Sequence, residues 1–124
     1  MSNPTIEVVA QPAYEPTQSQ PQINKYFFSY HISIQHVDGE PCQLINRYWL
    51  ITDSSGKKQE VYGEGVIGKQ PKLSSGQAFS YSSGVLLETP VGTMEGFYEM
   101  STPDGELFKI DIKPFLLALP GTIN

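Results

Sequence analysis

From Phe28 to Gln35 the chain alternates strictly: Phe28, Tyr30, Ile32 and Ile34 share one parity, and Ser29, His31, Ser33 and Gln35 the other. Period two over that length places one face of a strand in a core and the other in water. The same pattern returns downstream. Ala78 opposes Phe79 and Tyr81 within Gln77–Ser83, while Met94, Tyr98 and Met100 oppose Glu95 and Glu99 within Thr93–Ser101. Near the end, Phe108, Ile110 and Ile112 oppose Lys109, Asp111 and Lys113. Turn signals separate these runs: Asp38-Gly39, Asp53-Ser-Ser-Gly56, Ser74-Ser75-Gly76, Thr89-Pro90 and Pro103-Asp104-Gly105. In the last, proline presets φ, aspartate caps the turn and glycine takes φ > 0. Short strands at turn spacings of about 8–12 residues define a sandwich or a barrel. The reading adopted is an all-β antiparallel sandwich of immunoglobulin or fibronectin type III kind, with seven to eight strands.

The remaining segments fit around that frame. Thr5–Ala10 reads as a first strand. Residues 11–22 carry Pro12, Pro16 and Pro21, which exclude a helix interior or a central strand, so an extended surface loop is expected there. Residues 43–52 are apolar on both parities, the mark of a central strand covered on both sides. Lys57–Tyr62 returns from the Asp53–Gly56 hairpin, Val85–Glu88 reads as a separate strand, and residues 114–124 as an apolar tail flanked by prolines. The 124 residues fit one domain, 1–124, large enough to fold without metal or disulfide. Cys42 is the sole cysteine, which suits a reducing compartment. No signal peptide and no membrane-length apolar run is read, so a cytoplasmic location is expected. The net charge of −5 with scattered basic residues argues against nucleic acid as a partner.

Residues 63–68 spell Gly-Glu-Gly-Val-Ile-Gly, a complete G-x-G-x-x-G. A dinucleotide site needs a helix directly behind the third glycine, because the helix N-terminus holds the pyrophosphate. Pro71 and Gly76 leave no room for that helix, so the coenzyme reading fails on context. A bulged or sharply turned strand edge is the first expectation. A weaker form of anion binding stays open: amides of a Gly-rich turn form a nest, with Gly63, Gly65 and Gly68 as its glycines and Lys69 and Lys72 adding positive charge.

Catalytic constellations are missing. There is no Gly-x-Ser-x-Gly. Cys42, beside Pro41, would need His31 or His36 as a base, and reads as a small strand-edge side chain. Glu95 and Glu99 lie about 13 Å apart on a strand, beyond the ~5–9.5 Å of a glycosidase pair. His31 on a polar face and His36 at a strand end read as surface or strand-end histidines, and no metal-ligand spacing occurs. Most of the seven Tyr, six Phe and single Trp belong to the core, whereas Phe27 and Phe97 sit on the opposite parity and are candidates for an exposed patch.

Several adjoining segments together resemble one family. They are Tyr26-Phe-Phe-Ser-Tyr-His-Ile-Ser-Ile34, Arg47-Tyr-Trp-Leu-Ile-Thr-Asp53, Gly63–Gly68 with Gln70-Pro71, Tyr81-Ser-Ser-Gly84, Leu87-Glu-Thr-Pro90 and Met94–Met100. Their order and composition are similar to the ApaG family from about Pro4 to Leu117. Tyr14, Gln18-Ser19 and Pro21 extend the likeness into the Pro-rich segment. Tyr48 departs from the family, which often has His there. The resemblance implies a fibronectin type III-like sandwich and no established enzymatic activity. It implies a bacterial cytoplasmic protein linked to cobalt and magnesium homeostasis and, genetically, to diadenosine tetraphosphate hydrolysis. Related domains in eukaryotic F-box proteins and in a polymerase-interacting protein look like interaction modules. The family's glycine motif has prompted proposals of pyrophosphate binding, which carry over to Gly63, Gly65 and Gly68 as a candidate site. The expectation is therefore a non-catalytic binding module without cofactor, with an unidentified protein partner and a possible homodimer through an edge strand. The alternative is a small-anion or nucleotide binder at Gly63–Gly68.

Overall fold

A computed structural model describes residues 3–121. Eight strands follow in chain order: β1 (Thr5–Tyr14), β2 (Tyr26–Asp38), β3 (Cys42–Asp53), β4 (Lys58–Glu64), β5 (Lys72–Leu73), β6 (Ala78–Leu87), β7 (Val91–Ser101) and β8 (Leu107–Ala118). All pairings are antiparallel. One sheet has the order β1-β2-β6, the other β4-β3-β7-β8, with β5 on β3. The expected antiparallel β-sandwich is present, and no α-helix occurs among the described residues. The residues 122–124 of the expected tail lie outside the described range.

The alternating residues meet between the sheets. Phe28, Ile32 and Ile34 from β2 face Trp49, Ile51, Met94, Tyr98 and Met100, all buried. Trp49 stands edge-on to Tyr30, Tyr98 and Phe115, with ring centroids 5.5, 6.2 and 6.0 Å away. Edge-to-face packing suits the ring quadrupoles. Tyr81 of β6 and Tyr98 of β7 share a hydroxyl–hydroxyl hydrogen bond across the core. Burial pushes both phenols well above the ordinary tyrosine range.

Five expectations change. Pro12 does not end the first strand, which runs on to Tyr14. Strand β1 is a sheet edge, where proline's missing N–H costs no ladder bond. The chain then makes two 3-10 turns, Pro16–Gln18 and Pro21–Ile23, each opened by a proline. Ser19 pins the segment, its hydroxyl donating to the Glu15 carbonyl and accepting from the Phe27 amide. Residues 114–118 continue β8, because Phe115 and Leu117 keep the inward register against Met94 and Gly92. Val85–Leu87 is not a separate strand: β6 runs unbroken from Ala78 to Leu87 against β2. Strand β3 is central, between β4 and β7, but only one of its faces enters the core. Tyr48 and Leu50 on the outer face are half-buried by neighbours in their own sheet.

His36 is the fifth. It is fully buried, its Nε2–H donating to the Glu40 carbonyl at 2.7 Å. The Gly39 turn and the Ser74–Gln77 loop close over the strand end: the His36 amide donates to the Gln77 carbonyl, and the Gly76 amide donates to the carbonyl of His36. His31 is exposed, as expected, with Nδ1 2.9 Å from the Ser82 hydroxyl.

Candidate functional site

The glycine motif closes strand β4, and each glycine answers a different local demand. Gly63 sits opposite Arg47 in the β3–β4 register. A Cβ on Gly63 would lie 2.9 Å from Arg47 Nη1, so the missing side chain is the space the guanidinium fills. Gly65 has φ +62, and a Cβ there would lie 2.3 Å from the Lys69 carbonyl oxygen. Ile67 (φ 46) and Gly68 (φ 77) are the two central residues of a tight turn in which Val66 and Lys69 exchange both backbone hydrogen bonds. Positive φ at both positions is the two-residue hairpin geometry that favours Asn-Gly. Lys69 therefore begins a returning bridge, and the coenzyme architecture is absent.

The turn docks on an irregularity in β3. The register against β7 shifts between Leu44 and Asn46, leaving Ile45 as the extra residue. Its carbonyl accepts from the Gly65 amide at 2.8 Å and from Gln70 Nε2 at 3.0 Å. The amides of Gly65, Val66 and Lys69 are thus spent on carbonyls, while those of Ile67 and Gly68 meet no acceptor among the described residues. Gly63, Gly65, Gly68 and Lys69 lie in one excursion. Lys72 lies further on, in β5 opposite Gln43, at a cleft of about 390 Å³ that includes Cys42, Ser101 and Thr102. Cys42 is buried and burial raises its thiol pKa, which disfavours a nucleophilic thiolate.

Arg47 opens one of the family-like segments, and the sequence alone gives it no site role. Its Nη1 donates to the Glu64 and Gly65 carbonyls, both at 2.9 Å. It makes no ion pair with any described carboxylate. After the bulge its parity matches Trp49 and Ile51, so a half-buried cation lies on the core side of its strand. The only sequence signal was that parity, and the unseen bulge at Ile45 concealed it.

The outer face of the larger sheet carries a second constellation. Tyr62, Tyr48, Phe97 and Asp111 stand in register across four strands. Tyr48 and Phe97 stack at 4.9 Å, and Lys109 Nζ lies 4.4 Å from the centre of the Phe97 ring. The Tyr48 hydroxyl donates to Glu60 at 2.8 Å, and the Tyr62 hydroxyl donates to Glu99. These carboxylate contacts raise both phenol pKa values. Phe97 is half-buried in this stack, and Phe27 is half-buried over Gly84. Among the described residues no three His, Cys, Asp or Glu side chains converge on a metal site.

An irregular sandwich with a bulge-docked glycine turn is the class this geometry defines. The ApaG domain family matches residues 16–102, and the chain belongs to it. Protein ApaG from Aromatoleum aromaticum is 53% identical over 119 residues, covering 96% of this chain and 94% of that protein. Protein ApaG from Azotobacter vinelandii is 48% identical over 126 residues, covering 100% of both. A crystal structure of an ApaA protein from Bordetella pertussis, 43% identical, superposes with a TM-score of 0.93 over 96% of this chain and 97% of that one.

Proposed function

We propose that this chain is a non-catalytic interaction module whose outer sheet face receives a basic protein segment. The observation that carries the reading is the row Tyr62–Tyr48–Phe97 with Glu60, Glu64, Glu95, Glu99 and Asp111 around it. Aromatic anchors supply contact area, and carboxylates select positive charge. The Lys109 ammonium over Phe97 models the contact within the chain itself. A link to cobalt or magnesium levels would then be indirect, through the partner. The proposed site of action is the cytoplasm. No helix is long and apolar enough to cross a membrane among the described residues.

The test is a titration of isotope-labelled protein with an arginine-rich peptide and, separately, its glutamate counterpart. The basic peptide is expected to move the Tyr48, Tyr62 and Phe97 amides, less so at high salt. Tyr62→Ala, at a side chain 63% exposed, should weaken it without unfolding the domain. Equal effects from both peptides, or shifts confined to the opposite sheet, would overturn the reading.

A nucleotide or pyrophosphate group at Gly63–Gly68 is the second reading. Two unengaged amides, Ile67 and Gly68, support it, with exposed Lys69 beside them. Three spent amides and the placement of Lys72 at another cleft make its support the smaller.

A further inference from the structure

Between the edges of β4 and β6 no strand pairing closes the two sheets; among the described residues only the long Gln59 Nε2 to Leu86 carbonyl hydrogen bond and the Lys57–Glu88 ion pair span the seam. A cleft of about 290 Å³ opens there, with Tyr30, Ser83 and Val85 from one sheet and Arg47, Trp49 and Val61 from the other. Its walls are apolar rings and branched side chains. Among its polar groups, Gln59 is engaged, its Nε2 donating to the Leu86 carbonyl at 3.4 Å, and three others are not. The Tyr30 hydroxyl, the Trp49 indole N–H and the Ser83 hydroxyl have no hydrogen-bond partner among the described residues. Arg47 uses only Nη1, on two carbonyls, which leaves its Nε–Nη2 edge. No Asp or Glu lines the cleft.

We infer that this cleft is a binding site for a small amphipathic monocarboxylate, held by Arg47. The Nε–Nη2 edge of a guanidinium matches the two oxygens of a carboxylate through parallel hydrogen bonds. A partly desolvated cation without an internal counter-charge gains most from an anion that brings one. The indole and hydroxyl donors add to the same preference, since all of them seek acceptors. One cation among apolar walls selects one negative charge on an apolar body, where a polyphosphate would leave charges unmatched. The volume lies at the small end for ligand pockets and admits about one aromatic ring with a short acid chain. The acid can be free or the C-terminal residue of a peptide. Gly63 belongs to this site: it makes room for the guanidinium, whatever the turn behind it binds.

The probe is 3-phenylpropionate, titrated to millimolar concentration while the Trp49 indole and Arg47 Nε–H signals are followed. Both are expected to move saturably. The isosteric 3-phenylpropylamine should leave them still. Arg47→Lys keeps the charge but loses the fork and should weaken binding about tenfold. Gly63→Ala displaces the guanidinium by its methyl group and should weaken binding while the amide spectrum stays folded, which guards against a variant that simply unfolds. A leucyl-phenylalanine dipeptide run beside its C-terminal amide separates the two sources. Tighter binding of the acid dipeptide than of phenylpropionate assigns the site to chain ends, and the reverse assigns it to free acids. Unmoved signals, equal response to the amine, or water-like indifference to Arg47→Lys would overturn the inference. Pyrophosphate serves as the last arm. If it moves the Ile67–Lys69 amides alone, it supports the glycine-turn reading independently; if it moves Trp49 more strongly than phenylpropionate does, the carboxylate assignment is wrong.

Discussion

Ile67 holds a backbone conformation that β-branched residues rarely adopt, at the tip of a turn and 56% exposed. A left-handed conformation costs an L-residue about 1–2 kcal/mol, and asparagine tolerates it best among the non-glycines. Ile67→Asn creates the preferred Asn-Gly pair and is expected to stabilise the domain by about 1 kcal/mol. Gly65→Ala should act in the opposite sense, losing about 2 kcal/mol or more, because its methyl group meets the Lys69 carbonyl and φ is positive. Urea unfolding of both variants checks the pair. A destabilised Ile67→Asn would show that the isoleucine side chain, not the turn, holds this loop.

The β3–β4 hairpin is held by one carboxylate. Asp53 Oδ1 accepts from the Ser55 hydroxyl at 2.7 Å, the Ser55 amide at 2.9 Å and the Lys57 amide at 3.0 Å. The Ser55 hydroxyl bond is the largest influence holding this carboxyl below the ordinary aspartate range, with the Lys57 and Ser55 amide bonds adding to it. A depressed folded-state pKa contributes stability above the unfolded value, and that contribution is lost as pH falls through the folded one. Asp53→Asn is expected to lower stability at neutral pH and to lessen the further loss below about pH 4. Melting temperatures across that range decide it, and parallel curves for the two proteins would sink the argument. The same hairpin presents Tyr62 and Glu60 to the outer face, so its closure sets half of the proposed docking row.

Among the described residues the two sheets are joined by apolar packing, by one buried hydrogen bond, Tyr81 to Tyr98, and at the rim by the Gln59–Leu86 hydrogen bond and the Lys57–Glu88 ion pair. Removing one hydroxyl strands the other in the core. Tyr81→Phe should cost about 1–2 kcal/mol, and Tyr81→Phe with Tyr98→Phe less than the sum of the single changes. A double-mutant cycle is expected to return a coupling of about 1 kcal/mol. Additivity would mean that each hydroxyl finds another partner. At this scale the sandwich is packed where β1 adjoins β8 and only loosely bridged where β4 faces β6, and that asymmetry places the Arg47 cleft.

Alternation at Phe28–Gln35, Met94–Met100 and Phe108–Ile112 determined the strands and their inward faces, because period two leaves one burial solution. Pro71 and Gly76 determined that no helix follows Gly68. Tertiary structure alone decided the rest. Pro12 is tolerated only because β1 became an edge, and His36 is buried only because two distant turns cover it. Arg47 faces the core side because a bulge at Ile45 precedes it, and its cleft exists because two strands far apart in the chain leave a seam. Local sequence encodes the direction a side chain takes from its own strand, whereas what it meets there depends on how strands distant in the chain assemble around it.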